Sequence, residues 1–189
     1  MWEANIKAVN RYLAHETSGG LWYGHVNMTT GDRVATRFGA LDAFFPAVLA
    51  LGGDIPRAAR LQESAHKMWE KFGIEPEEMD YTTMEITYNG YPLRPEIIES
   101  AYYLYYYTKD ERYREMGNTY FNALIRYCKT GAGYAALANV ETKAKKDDME
   151  SFFLAETLKY LYLLFASPDT IDLSRTTFNT EAHPIKRSW

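Results

Sequence analysis

One cysteine, Cys128, is all that 189 residues contain. An internal disulfide is thereby excluded, the redox compartment is not readable, and the thiol reads as a buried structural group. Long apolar runs are also absent: Glu, Lys or Tyr interrupts each before bilayer-spanning length, and the first residues lack a basic-then-apolar leader pattern. Charge of one sign is not in excess either. A net charge of −4 with acids and bases interspersed gives no electrostatic footprint for nucleic acid and none for insertion into or adhesion to a membrane. The run KAKKDD, Lys143 to Asp148, cancels itself and reads as a solvated loop. The four histidines, His15, His25, His66 and His183, show no HxxxH or His-Cys spacing, which argues against a zinc site. No GxSxG elbow, Walker loop or dinucleotide glycine fingerprint occurs.

What is present is a chain with 47% hydrophobic side chains and no long polar tract, enough for one sizeable core and one compact domain. Its 16 tyrosines and 4 tryptophans suit both a thick helical core and a sugar-stacking surface, and composition does not choose between them. The single glycosylation triplet, Asn27-Met28-Thr29, matters only in a secreted chain.

Apolar residues at helical spacing predict a helix over Trp2 to His15, broken by Ser18-Gly19-Gly20. Leu21 to Val34 alternates around Thr30-Gly31-Asp32 and predicts one short β-hairpin. Helical character returns from Phe38 to Leu51 and from Ile55 to Phe72, the latter with Pro56 for its first turn and Gly73 for its C-terminal cap. Further helices are expected from about Pro95 to Tyr107, Glu111 to Cys128 and Glu150 to Phe165, with an extended excursion at Gly131 to Val140 and an irregular or extended tail after Pro168. Six helices in consecutive pairs predict an all-α toroid or bundle of helical hairpins with short β excursions.

Three segments could carry chemistry. In YPLRPEIIES (Tyr91 to Ser100), Pro95 suits the start of a helix, and Glu96 and Glu99, three apart, share a face with Arg94 just ahead. Ordinary preference for acids at a helix N-terminus explains the pair equally well. In MESFFLAETLKYLYLLF (Met149 to Phe165), Glu156 is embedded among apolar residues one turn after Phe152; such a carboxylate needs a cation, a metal shell or a route to water. In FNTEAHP, Thr180 offers a hydroxyl and a carbonyl, both hard ligands suited to Ca²⁺, beside Glu181.

Taken in order and spacing, these segments resemble the C-terminal portion of glycoside hydrolase family 47, the class I α-1,2-mannosidases and their ER degradation-enhancing relatives. GYAALANV (Gly133 to Val140), AFFPAVLALGGD (Ala43 to Asp54) and GIEPEEMDY (Gly73 to Tyr81) extend the resemblance over nearly the whole chain. It implies that residues 1–189 form the C-terminal part of one catalytic (α/α)7 barrel, made of helical hairpins, with Ca²⁺ at the base of a mannose-binding cavity. Glu96 would be the catalytic carboxylate, Arg94 and Glu99 its companions around the sugar and the calcium waters, and Phe152 the platform under the terminal mannose. Glu156 and Glu181 would lie in the calcium and substrate shell, Thr180 would bind the ion through both oxygens, and Glu77 would contact sugar. The implied activity is inverting removal of α-1,2-linked mannose from a mannose-rich oligosaccharide or glycoprotein, in the ER lumen and secretory pathway or exported from a bacterium. A glycan-binding quality-control module without turnover is the alternative, and a purely structural helical repeat a third.

Three departures stand out. No cysteine lies in Ala40 to Phe44, where the processing mannosidases commonly carry one, which points toward the degradation-enhancing or bacterial-type branch. Asn139 replaces a usual Asp. Nothing before Glu77 resembles the motifs that carry the family's general acid and second catalytic aspartate, so the chain holds about half a site and is expected to need the N-terminal half of the barrel.

Overall fold

A computed structural model describes residues 1–188. Its elements run α1 (Trp2–Tyr12), β1 (Ala14–Thr17), β2 (Gly20–Tyr23), β3 (His25–Val26), β4 (Arg33–Ala35), β5 (Arg37–Gly39), α2 (Phe45–Leu51), α3 (Ile55–Phe72), β6 (Glu78–Asp80) and β7 (Glu85–Tyr88). Then follow α4 (Glu96–Thr108), α5 (Arg112–Ala123), β8 (Ala136–Asn139), β9 (Ala144–Lys146), α6 (Leu158–Phe165), β10 (Thr176–Phe178) and β11 (Pro184–Lys186). Every strand pairing is antiparallel.

The helices carry the core. α4 is the central one, packed against α2, α3, α5 and α6 and buried from Ile97 through Leu104. Ser100 ties it to the segment before α2, donating to the Ala43 carbonyl at 2.6 Å and accepting from the Ala47 amide at 3.2 Å. α3 has the ends its sequence predicts, with Pro56 in the first turn and Gly73 closing the helix at φ 74°; the Asp54 side chain, not singled out in the sequence, adds a cap by accepting from the Arg57 amide. On α5, a Cβ at Gly117 would fall 2.1 Å from the buried Leu164 side chain, so glycine is what lets α5 and α6 approach.

Several boundaries differ from the sequence expectation. The first helix stops at Tyr12, and His15 lies in β1 opposite Trp22. Ser18-Gly19 is thus the turn of a hairpin, with Gly20 at φ 139°, and the Arg33 guanidinium holds the chain after α1 by donating to the carbonyls of Leu13 and Ala14. The single hairpin expected from Leu21 to Val34 is two, because Leu21 to Tyr23 pair backwards onto β1 while β3 pairs with β4 around residues 27–32. Residues expected to begin a helix at Phe38 instead form β5 and a 3-10 turn over Ala40–Phe44 before α2; Pro46 is confined to that helix's first turn.

The KAKKDD run is not a free loop either. Ala144–Lys146 pairs with β8, and Lys143 reaches back to cap carbonyls at Phe72 and Val140. The tail, expected to be irregular or extended, holds the β10–β11 hairpin within otherwise irregular chain. Finally, the helices of the second half contain two widened π turns, Leu124–Cys128 after α5 and Phe153–Thr157 before α6. Cys128 is a buried free thiol, and burial pushes it up to about 12, which makes it chemically inert.

Candidate active site

Pro95 caps α4, so Glu96 and Glu99 occupy the helix's first turn, and their spacing aims both into one cavity of about 570 Å³. Arg94, Phe152, Glu156, Thr180 and Glu181 line the same cavity. Seven of the eight residues singled out in the sequence therefore converge. Glu77 stands one side chain further back, gripping Arg94 through a two-pronged pair: Arg94 Nη2 donates to Oε1 at 2.5 Å and Nε to Oε2 at 3.1 Å. That fork fixes the guanidinium plane, and its other face meets the Phe152 ring, 5.6 Å from the centroid. The negative charge of Glu77 keeps Arg94 above its ordinary value.

The acids differ in environment. Burial raises Glu96 to about 7, against the opposing pull of its own backbone amide and of Arg94, with the charges of Glu156 and Glu77 adding to the rise. Glu99 is also raised to about 7 by burial, although Tyr160 donates its hydroxyl to Glu99 Oε1 at 2.5 Å. Glu156 is raised by burial and by the neighbouring Glu181. Carboxyls held near neutrality in one cavity are matched to proton transfer.

The segment around the second π turn holds the site together from one side. Thr157 donates to the Leu93 carbonyl at 2.7 Å, stabilising a non-glycine residue at φ 66° just before Arg94, a conformation that costs roughly 1–2 kcal/mol. Lys159 donates to the Ala182 carbonyl at 2.6 Å, and Ala182 is likewise left-handed, at φ 54°. The Asn179 side chain completes that turn by accepting from the Glu181 and His183 amides. The turn presents Thr180 and Glu181, both exposed, to the cavity.

The donor set facing the cavity is all oxygen. Among the described residues no cluster of three or more His, Cys, Asp or Glu side chains could hold a metal directly. A cation here would depend on Thr180's hydroxyl and carbonyl and on waters held by Glu99, Glu156 and Glu181, a set that fits a hard ion such as Ca²⁺.

Sequence reasoning passed over Leu41, Phe44, Tyr103 and Phe178, which also line the cavity, and the positioning residues Thr157, Lys159 and Tyr160. Tyr103 was findable, because it lies four residues after Glu99 on the same helical face. The Tyr160 bond to Glu99 joins residues 61 apart and leaves no local signal.

Known proteins similar to this chain in sequence or fold are named alpha-mannosidases or alpha-mannosidase-like proteins. Residues 1–187 match the model of glycosyl hydrolase family 47. The chain is 39% identical to alpha-mannosidase I MNS5 of Arabidopsis thaliana, over 100% of this chain and 33% of that protein. It is 36% identical to ER degradation-enhancing alpha-mannosidase-like protein 1 of Schizosaccharomyces pombe, over 97% of this chain and 23% of the relative. The solved alpha-1,2-mannosidase from Trichoderma reesei superimposes with a TM-score of 0.86 at 26% identity, covering 98% of this chain and 46% of that structure. The chain thus spans a third or less of these two curated relatives and just under half of the solved enzyme. On the matched family and on these relatives, this chain belongs to glycosyl hydrolase family 47.

Proposed function

We propose that these residues are the C-terminal part of a calcium-dependent, inverting α-1,2-mannosidase acting on mannose-rich glycans, within an (α/α)7 barrel whose other hairpins and general acid come from outside the 189 residues. The observation that carries the reading is the convergence of Arg94, Glu96, Glu99, Phe152, Glu156, Thr180 and Glu181 on one cavity. Inverting glycosidases use one carboxyl to protonate the leaving oxygen and another, roughly 6.5–9.5 Å away, to activate water. Glu96, the acid at the buried helix start, takes the water's proton; a carboxyl raised to about 7 accepts it more readily than an ordinary one. Phe152 offers a flat apolar face for the terminal sugar, and the Glu77–Arg94 pair locks that ring and a hydrogen-bonding cation beside it. Thr180 would hold Ca²⁺, with waters on Glu99, Glu156 and Glu181; when bound, the ion would orient sugar hydroxyls and offset the charge of three carboxylates. The proposed compartment is the ER lumen and secretory pathway, or the exterior of a bacterium.

The test is steady-state kinetics of Glu96→Gln in the full-length protein on α-1,2-linked mannobiose. Loss of a general base lowers kcat by about 10²–10⁴ with little change in KM. Near-normal turnover removes Glu96 from the mechanism. Because the acid-bearing motifs are not among these residues, the 189-residue chain alone is expected to recognise glycan, if at all, without turnover.

A further inference from the structure

Near Glu96, and not among the residues that line the cavity, lies an acid that the proposed mechanism leaves unused. Glu75 is fully buried, and neither of its carboxyl oxygens has a hydrogen-bond partner. It precedes Pro76 in the stretch leading to β6, two residues before Glu77, whose amide is fixed to the Gly90 carbonyl at 2.7 Å. Its surroundings are Tyr91 and Tyr120, with Glu96, Glu77 and Arg94 as the charged neighbours. Arg94 is already committed to both oxygens of Glu77.

An ionised carboxylate without a partner is not sustained in such a place. Burial, reinforced by the charges of Glu96 and Glu77, indeed holds Glu75 well above the usual carboxylate range. A neutral carboxyl still carries one O–H that requires an acceptor. Glu96 Oε2 is the complement: a buried acceptor with no donor. No direct hydrogen bond joins the two side chains, and buried polar groups left this way are ordinarily joined by an ordered water.

We propose that Glu75 is a positioning residue for Glu96, linked to Glu96 Oε2 through one buried water that fixes the orientation of that carboxylate. The inference rests on Glu96 being the base, and it assigns Glu75 no contact with substrate. Glutamine at 75 keeps a donor and the side-chain shape; leucine keeps the volume and removes both polar atoms.

The test compares the full-length wild type, Glu75→Gln and Glu75→Leu. A high-resolution crystal structure is expected to show a water between residue 75 and Glu96 in the first two and none in the third. On α-1,2-linked mannobiose, Glu75→Leu is expected to lose at least about tenfold in kcat with KM unchanged within about twofold, while Glu75→Gln stays within about threefold of wild type. A merely structural role would lower thermal stability without splitting kcat from KM. No water between Glu75 and Glu96 in the wild type, or a folded Glu75→Leu protein with wild-type kcat, overturns the proposal. If Glu75→Leu does not fold, the wild-type and Glu75→Gln structures still decide it. Failure of the base reading shows separately, as near-normal turnover of Glu96→Gln in the presence of intact Glu75.

Discussion

Removing one oxygen atom, by Tyr160→Phe, tests how the site is held together. The Tyr160 hydroxyl donates to buried Glu99 at 2.5 Å, while its ring packs against Tyr102, Tyr103 and Phe178 at centroid distances of 5.9, 6.3 and 5.8 Å. Phenylalanine preserves those ring contacts, so the loss is confined to the hydrogen bond. A bond to a charged acceptor is worth about 1.5–3 kcal/mol and one to a neutral acceptor about 0.5–1.5 kcal/mol. Glu99 is raised to about 7; it is neutral at pH 5.5 and mostly ionised at pH 8.5. The variant is therefore expected to lose about 1 kcal/mol at the lower pH and about 2 kcal/mol at the higher. Because Tyr160 lowers the carboxyl's value from where burial alone would place it, its removal also raises Glu99 further. Urea unfolding at both pH values, repeated in a Glu99→Gln background, measures the pair directly. Equal losses at the two pH values, or a loss at pH 8.5 that persists undiminished in Glu99→Gln, would show that the hydroxyl is not bound to a titrating carboxylate.

Three further outcomes are expected. Glu96 and Glu99 are both raised to about 7, so the native state binds their protons more tightly than the unfolded chain. Stability should then fall as pH rises from about 4.5 to about 7, by at most about 3 kcal/mol per group, and Glu96→Gln/Glu99→Gln should flatten the urea midpoint over that window; a midpoint rising with pH there would contradict the burial of both acids. Calcium calorimetry on the 189-residue chain should show weak binding that Thr180→Ala abolishes, whereas a tight stoichiometric site surviving that change would place the ion elsewhere. Finally, α1 has no buried residue and α6 leaves Tyr162 64% exposed beside Phe165, so apolar-dye binding and light scattering should report self-association of the isolated chain; a dye-silent monomer would refute this.

Much of the helical frame was legible because helix signals are local. Pro56 and Gly73 bound α3 within a residue or two of its observed ends, and the spacing of Glu96 and Glu99 already put them on one face. The small hairpins were less legible. Ser18-Gly19-Gly20 carries the same breaker signal whether it ends a helix or turns a hairpin, and only the pairing of His15 with Trp22 distinguishes the two. In Lys143 to Asp148 charge balance concealed a strand, because β9 is fully exposed and pairs through its backbone alone. Within the site, the residues that carry a ligand-facing group were readable from motif and type. Those that act through another side chain were not: Thr157 and Lys159 look like ordinary helix residues until Leu93 and Ala182, left-handed and distant in sequence, are seen beneath them.

The π turn at Phe153–Thr157 gives this segment one residue to spare. It contains one residue more than an α turn, closed by the Leu158 amide on the Phe153 carbonyl, and Leu154 within it is 59% exposed. Deleting Leu154 would let the helix run on as regular α structure with no apolar residue lost from the core. The wider turn takes up that extra residue within about one full rotation, so Phe152 would keep roughly its direction relative to Thr157, Lys159 and Tyr160. A single in-frame codon loss here would thus leave a folded protein with Phe152 still facing Arg94, whereas loss of a second residue, from what is then a regular α-helix, would turn Phe152 by about 100° and take the proposed sugar platform away.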